Sequence, residues 1–549
     1  MHRYCLHFVR TAAALAVLIQ LACAICAQQP AGPNDVRVMA WNIWHGGRED
    51  GKEVGPKRVI DVIKNSGADL VAMQETYGSG ELISQGLGFH FQPRGTNVSI
   101  HSRYPVLEDI SVHKEFECVG ALVELPNKTR LAFYSIWLPY TAEIWAEGTR
   151  DTSKPNTTLA ACEASHVSLQ AIWTAIDARL QADKYRDVPI VIAGDFNSMS
   201  HLDYGEIGWD QYGAVIEWPT SAILSNHGFT DSYRACNPRI DRLRDSTWTP
   251  RFPKQQQDRI DFIYHRDAKS RSVTVTPTTS RVIREHQPRF PSDHAALLST
   301  LRIAAQQPTK PRDVAIRAVS YNIKHGAGMD GRVDLQRTAN VLKKLRPDFV
   351  GLQEVDLRAK RSGKKNQANE LATMLDMHPG FGSFMDFQGG RYGMAVLSRY
   401  PIVHVESLRL PDGNEPRIAL IAETRLPTGD TVLLVNVHFD WVGDDGYRFA
   451  QASKLAAHLR AQAKPFLLLG DFNDGPESRT LALFDEVAHR TQKPKGDRLT
   501  FSSTKPVKEI DFIFCAPRDA WQVGRVEVIT EPMASDHRPV VAELTLRAR

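Results

Sequence analysis

The feature that most constrains this chain is an internal repeat, in which six short motifs occur in the same order in both halves of the sequence. The first half carries them at residues 38–43, 69–75, 102–106, 194–197, 260–263 and 292–294, and the second half at 318–323, 348–354, 398–402, 470–473, 510–513 and 535–537. Six matches in one order indicate a duplicated domain. A length of 549 residues fits this interpretation, because it exceeds what one ordinary domain contains.

The intervals between motifs agree in the two halves except in one place. Asp195 and Asp261 are 66 residues apart, whereas Asp471 and Asp511 are only 40 apart, so the first copy carries an insertion near residues 201–255. The spacing therefore predicts two domains, at 36–303 and 313–549. They are joined by a Gln/Pro/Lys-rich linker at 304–312.

Each copy is predicted to alternate strands and helices. In the second copy we expect Asp334 to cap a helix that ends at Leu345, because Leu335, Ala339 and Leu342 recur at spacings that place them on one helical face.

Two apolar runs in the second copy, at 431–437 and 465–469, predict buried strands that end directly in polar residues. His438, Asp471 and Asn473 are therefore expected just past the carboxyl ends of strands. Open α/β sheets usually build their sites there.

The composition excludes several classes of protein. With 67 basic and 63 acidic residues the formal net charge is +4, so no sequence-wide field attracts nucleic acid or an anionic membrane. Apolar residues make up 42% of the chain and charged residues 24%, which excludes a disordered chain or a disulfide-dense miniprotein.

The first 27 residues have the pattern of an export signal. Basic residues precede an apolar run at 11–24, and small residues follow it. The run is shorter than the ~20 residues of a membrane-spanning helix, so we expect residues 1–27 to be removed, leaving a secreted or periplasmic protein without a transmembrane segment. A retained anchor or a lipidated Cys23 is the less favoured alternative.

The cysteines that remain after removal of this segment allow either one disulfide or buried free thiols; they are Cys118, Cys162, Cys236 and Cys515.

The second copy supplies the side chains that metal-assisted phosphoester hydrolysis needs. It combines two amides, four carboxylates and two imidazoles, at Asn322, Asn473, Glu354, Asp471, Asp511, Asp536, His438 and His537. Hard oxygen ligands without thiolates favour Mg²⁺ or Ca²⁺ over zinc. A divalent cation neutralises charge on a phosphoryl oxygen, and imidazoles held by carboxylates activate water or protonate a leaving oxygen. Each motif alone is typical of a turn or a cap, but the ordered set, present twice, argues against that interpretation.

With these motifs the sequence resembles the endonuclease/exonuclease/phosphatase superfamily over nearly all of the predicted mature chain. The resemblance implies an α/β fold of two tandem DNase I-like, four-layer α/β/β/α sandwiches, each with its site at one end of two packed sheets. It also implies Mg²⁺ as the cofactor, with Mn²⁺ or Ca²⁺ as alternatives. The superfamily includes nucleases, sphingomyelinases, inositol polyphosphate phosphatases and other phosphodiesterases.

The resemblance also implies roles for individual residues of the second copy. Asn322 and Glu354 match the metal-side residues, with Glu354 as the principal ligand and Asp536 completing the site. Asp471 matches the group that orients or deprotonates the attacking water, and Asn473 matches a phosphate contact.

The remaining matches concern proton transfer and phosphate charge. Asp511 matches the acid that pairs with the catalytic imidazole of His537. His438 matches a second histidine that stabilises the pentacoordinate phosphorane. Arg417 is an expected phosphate contact, with an ordinary surface salt bridge as the equal alternative.

The first copy keeps seven residues of this set but departs from it at one histidine position. It retains Asn42, Glu75 and Asp293 on the metal side and Asp195, Asn197, Asp261 and His294 on the catalytic side. At the position of His438 it has Trp137, whose indole donates a hydrogen bond but exchanges no proton near neutral pH. We expect this copy either to bind metal and phosphate with slow turnover or to act on a different substrate.

The sequence thus predicts an exported, divalent-metal-dependent phosphoesterase that cleaves phosphodiester or phosphomonoester bonds by in-line attack of an activated water. Two alternatives stay open: a secreted nuclease acting on DNA or RNA, and a largely non-catalytic binding protein with a degenerate first domain. The interleaved aromatic and basic residues of the insertion fit nucleic-acid contact, contact with lipid headgroups or, as we favour, a cover for a sheet edge. The expected partner is the phosphoester substrate (a lipid headgroup, a sugar phosphate or a nucleic acid), and no stable protein partner is predicted.

Overall fold

The computed structural model describes residues 32–306 and 312–548. The predicted signal segment, 1–27, and most of the predicted linker, 307–311, lie outside the described residues. The strand Ala296–Ala305 runs two residues past the predicted end of the first domain at residue 303. Within the described ranges, no helix combines the length and the apolar character needed to cross a bilayer.

In the described part of the first copy, the strands form two six-stranded sheets. Their bounds are β1 (Asp35–Asn42), β2 (Leu70–Gln74), β3 (His90–Arg94), β4 (Val98–Ser102), β5 (Val106–Asp109), β6 (Cys118–Glu124), β7 (Arg130–Trp137), β8 (Ile190–Asp195), β9 (Thr230–Asp231), β10 (Asp261–Arg266), β11 (Val273–Ile283) and β12 (Ala296–Ala305). The sheet orders are β11-β12-β1-β2-β4-β3 and β5-β6-β7-β8-β10-β9.

The described part of the second copy repeats this arrangement strand for strand. Its strands are β13 (Val314–Asn322), β14 (Phe349–Leu357), β15 (His378–Phe387), β16 (Gly390–Ser398), β17 (Ile402–Arg409), β18 (Ile418–Arg425), β19 (Thr431–His438), β20 (Phe466–Asp471), β21 (His489–Arg490), β22 (Asp511–Ala516), β23 (Trp521–Val528) and β24 (Val540–Leu546). The sheet orders are β15-β16-β14-β13-β24-β23 and β17-β18-β19-β20-β22-β21. The identical order confirms the predicted duplication at the level of the fold.

Helices cover the outer faces of the packed sheets. Those of the first copy are Val54–Ser66, Gly80–Leu87, Pro155–Ala161, Glu163–Arg179, Trp209–Tyr212, Pro219–Asn226, Ser232–Cys236 and Arg242–Asp245, besides a short turn at Trp44–Gly47. Those of the second copy are Leu335–Leu345, Gln367–Leu375, Gly446–Arg460 and Arg479–Asp485. The predicted helix ending at Leu345 is confirmed, and the Asp334 side chain caps it by accepting from the Arg337 amide at 3.1 Å.

Each copy has four layers because both faces of its sheets carry apolar residues. Between the two sheets of the second copy, Leu467 and Leu469 of one sheet share a buried cluster with Met394 and Val396 of the other. On the outer faces, Leu455 lies in a cluster beneath helix Gly446–Arg460, and the predicted apolar face of helix Leu335–Leu345 packs on the other sheet. The predicted α/β/β/α sandwich is confirmed.

The insertion of the first copy packs against the second copy. It contacts β15 and β17, which are edge strands of the second copy's two sheets. The His201 ring nitrogen Nε2 lies 3.0 Å from the Val403 carbonyl oxygen of β17. Tyr212 and Trp218 are fully buried, so the rings of these residues are not available to stack on nucleobases.

Two buried arginines, Arg234 of the insertion and Arg259 just after it, are engaged within the first copy. Arg234 contacts Asp203 at 2.7 Å and Asp245 at 2.9 Å, and Arg259 contacts Asp203 at 2.9 Å; all four groups are buried. Such a network requires every partner, because a buried charge without a counterion is costly. The remaining cysteines, Cys118, Cys162, Cys236 and Cys515, are free thiols.

Candidate active sites

The register of the second sheet places three candidate residues of the second copy in one row. His438 ends β19 and pairs with Asp471, which ends β20 and pairs in turn with Asp511, the first residue of β22. These residues are the terminal strand residues themselves: β19 runs one residue past its predicted end at 437, to His438, and β20 runs two residues past its predicted end at 469, to Asp471. In the first copy the same row reads Trp137, Asp195, Asp261.

A glycine before the central aspartate allows this close packing. Gly470 has φ of 151°, and a Cβ at this position would lie 2.0 Å from the Val437 carbonyl oxygen. Any other side chain would push β20 away from β19, so the Gly-Asp-Phe-Asn motif requires its glycine. Asn473 adopts φ of 50° and donates from its amide to Asp471 Oδ1 at 2.9 Å, which fixes the rotamer of Asp471.

His537, Asp511 and Asp471 form a buried triad. His537 Nδ1 lies 3.0 Å from Asp511 Oδ2, and its Nε2 lies 3.5 Å from Asp471 Oδ2. Burial alone lowers the pKa of His537, but the carboxylates of Asp511 and Asp471 outweigh this effect and raise it to about 10. Burial raises the pKa of Asp471 to about 7, and the nearby Asp511 charge adds to this shift. Asp471 is thus suited to take up and release a proton near neutral pH.

The serine of the Ser-Asp-His motif holds His537 in its place in the triad. Ser535 Oγ donates to the Asn322 carbonyl oxygen at 2.7 Å, and the His537 amide donates to Ser535 Oγ at 3.3 Å. The loop is therefore tied to the end of β13, which carries Asn322. This tie places Asp536 and His537 beside the strand row despite their distance in sequence.

Glu354 reaches the site because β14 bulges at this residue. The pairing of β14 with β16 shifts between Gln353 and Val355, and Glu354 has φ of 57°. A bulge redirects one side chain out of the strand alternation. Asn322 Nδ2 then bridges Glu354 Oε1 and Asp471 Oδ2, each at 3.1 Å.

The carboxylates on this side fit a divalent cation. Burial raises the pKa of Glu354, and the nearby Asp536 carboxylate adds to the shift, because two negative charges share a poorly solvated site. A cation between them removes that repulsion, and hard oxygen donors suit Mg²⁺ or Ca²⁺. Asp471, Asp511 and His537 also lie close enough for one ion to contact all three, but the His537–Asp511 hydrogen bond accounts for this proximity.

On the opposite side of Asp471, Arg417 and His438 form a second polar pair. Arg417 Nη1 lies 3.4 Å from His438 Nδ1, and its guanidinium lies 4.8 Å from the centroid of the Phe384 ring. Arg417 is only 1% exposed and so is not a surface residue, but it does form an ion pair, with its Nη2 3.0 Å from Glu415 Oε2. Burial and then the Arg417 charge hold the pKa of His438 well below its usual range. A neutral His438 that accepts from Arg417 carries its proton on Nε2, 3.6 Å from Asp471 Oδ2.

The first copy preserves the triad and the metal side. His294 Nδ1 lies 3.0 Å from Asp261 Oδ2, and Asn42 Nδ2 bridges Glu75 and Asp195 at 3.1 Å each. Burial and the Glu75 charge raise the pKa of Asp293 to about 6, although His294 offsets part of this shift. Asn197 repeats the turn of Asn473, with φ of 44°.

The polar pair of the second copy is absent from the first, where two aromatic residues stand in its place. The pairing of Cys118 with Ile136, matched to that of Ala419 with Val437, puts Phe116 at the position of Arg417. Phe116 and Trp137 contact edge to face, with ring centroids 5.4 Å apart. Two further polar positions are aromatic as well, since Trp44 replaces Lys324 and Tyr77 replaces Asp356. A cavity of about 220 Å³ lies beside this aromatic surface, and no lysine or arginine is among the described residues that line it.

Sequence reasoning missed two groups of residues at these sites. Lys324 Nζ lies 3.2 Å from Asp536 Oδ2 and adds a positive charge to the metal side of the second copy. Thr500 Oγ1 accepts from the Asp511 amide at 3.3 Å, and Thr247 Oγ1 does the same for Asp261 at 3.1 Å. A hydroxyl-aromatic-hydroxyl triplet, at 247–249 and 500–502, is a seventh repeated motif that would have identified the threonines.

Comparisons with known proteins agree with this architecture. The chain is 26% identical over 290 residues to the uncharacterised protein F14F9.5 of Caenorhabditis elegans, covering 48% of this chain and 91% of that protein. It is 27% identical over 256 residues to the uncharacterised protein YbhP of Escherichia coli K12, covering 44% and 100%. Each relative thus corresponds to one copy.

Solved structures match in the same way. An endonuclease/exonuclease/phosphatase from Bacteroides vulgatus is 24% identical, with a TM-score of 0.37, over 43% of this chain and 100% of that one. The mannosyl-6-phosphatase Bt3783 of Bacteroides thetaiotaomicron is 22% identical, with a TM-score of 0.35, over 42% and 99%. The model of the Endonuclease/Exonuclease/phosphatase family matches residues 39–294 and 319–537. The chain therefore belongs, through both of its copies, to the endonuclease/exonuclease/phosphatase family, whose members are hydrolases acting on phosphoester bonds.

Proposed function

We propose that the second copy is a divalent-metal-dependent phosphoesterase, with Mg²⁺ as the native metal. The observation that carries this proposal is the position of Asp471 between two polar pairs, His537–Asp511 at 3.0 Å on one side and His438–Arg417 at 3.4 Å on the other. The first pair supports proton transfer, and the second supplies hydrogen-bond donors for phosphoryl oxygens.

In this mechanism Asp471 orients a water and takes its proton as the water oxygen attacks phosphorus. The new bond forms in line with the phosphorus–oxygen bond that breaks. His537, held by Asp511, donates its Nε2 proton to the leaving oxygen as that bond breaks, and Asp471, 3.5 Å from Nε2, then returns a proton to it. Arg417 and His438 donate to the phosphoryl oxygens. A divalent cation held by Glu354, Asn322 and Asp536 would supply further charge neutralisation at phosphorus.

The direct test is hydrolysis of bis-p-nitrophenyl phosphate and of p-nitrophenyl phosphate by the purified mature protein, with Mg²⁺ and with EDTA. We expect metal-dependent release of nitrophenol that EDTA abolishes. Plasmid DNA in a parallel reaction separates a nuclease from an esterase for smaller substrates. Absence of turnover on every substrate with Mg²⁺, Mn²⁺ and Ca²⁺ would contradict the proposal.

We place small phosphoesters, such as sugar phosphates or lipid headgroups, ahead of nucleic acids as the substrate. In support, the aromatic side chains Tyr212 and Trp218 of the insertion are buried, and Arg234 is held in internal ion pairs. Nucleic-acid binding without sequence preference needs exposed stacking surfaces and free cations. We also propose export, which rests on the pattern of residues 1–27.

A second function, binding without efficient turnover, is proposed for the first copy. Phe116 and Trp137 replace the guanidinium and the imidazole of the second copy and leave the Trp137 indole N–H as the one donor at these two positions, while the triad of His294 remains. The copy thus keeps a metal side and gains an aromatic surface. Aromatic faces favour an organic group over a phosphate.

The metal content gives a prediction for both copies. Wild-type protein is expected to bind two Mg²⁺ per chain in calorimetric titration, because Asn42, Glu75 and Asp293 repeat the donors of the second copy. In Glu354→Gln and in Glu75→Gln the altered site is expected to bind Mg²⁺ more than about 10-fold more weakly, since each substitution removes a charged ligand. The titration of either variant should then detect one tightly bound Mg²⁺ per chain. Unchanged stoichiometry in both variants would show that the metal lies elsewhere.

A further inference from the structure

The insertion of the first copy supplies an acid that holds two strands of the second copy. Glu206 Oε2 accepts from the Ser383 amide of β15 at 2.7 Å, and Glu206 Oε1 accepts from Ser407 Oγ of β17 at 2.8 Å. Because β15 and β17 are edges of different sheets, one carboxylate joins both sheets of the second copy. The Glu206 side chain is 18% exposed, so these hydrogen bonds are shielded from water.

The Ser383 amide lies at a bulge of the β15–β16 hairpin. Ser383 pairs with Gly393 and Met385 pairs with Tyr392, so Phe384 is the extra residue between them. A bulge leaves a ladder position unpaired and redirects the side chain next to it. The bond from the Ser383 amide to Glu206 holds the residue directly before the extra one and thereby restrains the direction of Phe384.

Phe384 in turn contacts the polar pair of the candidate active site. Its ring centroid lies 4.8 Å from the Arg417 guanidinium carbon and 6.1 Å from the His438 ring. Phe384 is 4% exposed, and Arg417 is 1% exposed, so little space remains for either group to move independently. A cation over an aromatic face is attracted to it, so the ring holds the guanidinium together with Glu415, whose Oε2 lies 3.0 Å from Arg417 Nη2.

A second contact strengthens the same attachment. Arg391 of the hairpin lies 3.6 Å from Glu206 Oε2 and stacks 4.5 Å above the Trp209 ring of the insertion. Glu206 and Trp209 both belong to the segment that only the first copy contains. The second copy has no such segment of its own, since the interval from Asp471 to Asp511 is 26 residues shorter than that from Asp195 to Asp261.

We infer that Glu206 of the first copy is a positioning residue for the active site of the second copy. It holds the bulge that places Phe384 against Arg417. It thus acts by positioning these side chains and not by contact with substrate. The inference rests on the proposed phosphoesterase function of the second copy. It gives the first copy a role that does not depend on its own turnover.

The test compares three variants of the full chain. Glu206→Ala is expected to lower kcat by about 10-fold to 100-fold with less than a threefold change in KM, because a displaced catalytic group costs rate more than binding. Glu206→Gln keeps an acceptor for Ser383 and a donor for Ser407, and it is expected to remain within about threefold of wild type. Arg271→Gln, which removes an exposed ion pair of 3.0 Å to Asp430 between the copies, is the matched control and should leave kcat unchanged.

A measurement without substrate separates failure of this inference from failure of the proposed function. The NMR resonance of the Met385 methyl group is assigned by its disappearance in Met385→Leu. It is expected to shift in Glu206→Ala and to stay at its wild-type position in Glu206→Gln and Arg271→Gln. An unmoved resonance, equal losses of kcat in Glu206→Ala and Arg271→Gln, or a shifted resonance with full activity would each overturn the inference. If the Met385 resonance shifts between wild type and Glu206→Ala as expected but wild-type protein hydrolyses no phosphoester, the proposed function alone is overturned.

Discussion

Replacing Asp471 by asparagine is expected to lower kcat by about 10³-fold, because a positioned general base contributes ~10²-fold to 10⁴-fold to a hydrolysis. The amide keeps the hydrogen bond from the Asn473 backbone but accepts no proton from water. Stability should not fall. Burial raises the pKa of Asp471 to about 7, so its charged form is disfavoured in the fold and a neutral isostere relieves that cost.

Two comparisons make this result specific. Asp412→Asn changes an aspartate that is 79% exposed in the same copy and should leave kcat within about twofold. Asp195→Asn makes the same substitution in the first copy, where we expect a loss at least about 10-fold smaller, because Phe116 and Trp137 already replace the guanidinium and the imidazole that face phosphate in the second copy. Turnover in Asp471→Asn close to wild type would rule out the assigned role, and a larger loss in Asp195→Asn would assign catalysis to the first copy.

Replacing Asp245 by asparagine is expected to lower the free energy of unfolding of the first copy by about 1–3 kcal/mol at pH 7, because it removes one of the two carboxylates that neutralise the buried Arg234 and leaves only Asp203. Asp245 contacts Arg234 at 2.9 Å and accepts from the Tyr233 hydroxyl at 2.6 Å, and it is fully buried. Burial alone raises the pKa of Asp245, but Arg234, Arg244 and the Tyr233 hydroxyl outweigh this effect and lower it to about 2.

The sign of the pH dependence follows from this pKa. A carboxyl whose pKa is lower in the folded state than its usual value of 3.8 stabilises the fold above about pH 4 and loses that contribution as the pH falls towards 2. Urea unfolding of wild type and Asp245→Asn should therefore differ most at neutral pH and converge at low pH. Glu486→Gln, at an exposed ion pair with Arg460, is the control and should change stability by less than about 0.5 kcal/mol. A difference that persists unchanged down to pH 2 would contradict the pairing.

Local patterns determined the parts of this protein that depend on residues near each other in sequence. The spacing of Leu335, Ala339 and Leu342 predicts a helix because a helical face repeats every three to four residues. The repeated motifs predict the duplication, and the motif positions predict polar residues at strand ends. The substitution of Trp137 for a histidine is visible by aligning the halves, with no coordinates.

Other features needed the tertiary structure, because they depend on which distant strands become neighbours. Only the register of β6 with β7 and of β18 with β19 shows that Phe116 occupies the place of Arg417. Only the bulge in β14 shows how the Glu354 side chain reaches the site, since the regular alternation of a strand does not predict its direction.

The contact between the copies was the hardest feature to predict. Glu206 lies 177 residues before Ser383, and no spacing along the chain brings them together. Their meeting depends on how the insertion packs across the edges of two sheets, and many long-range contacts together determine that packing. The sequence by itself thus determined the two folds and the candidate catalytic residues of each. The tertiary structure decided which copy presents a complete polar site and how the other copy holds it in place, because the environment of a side chain is set by neighbours far away in sequence.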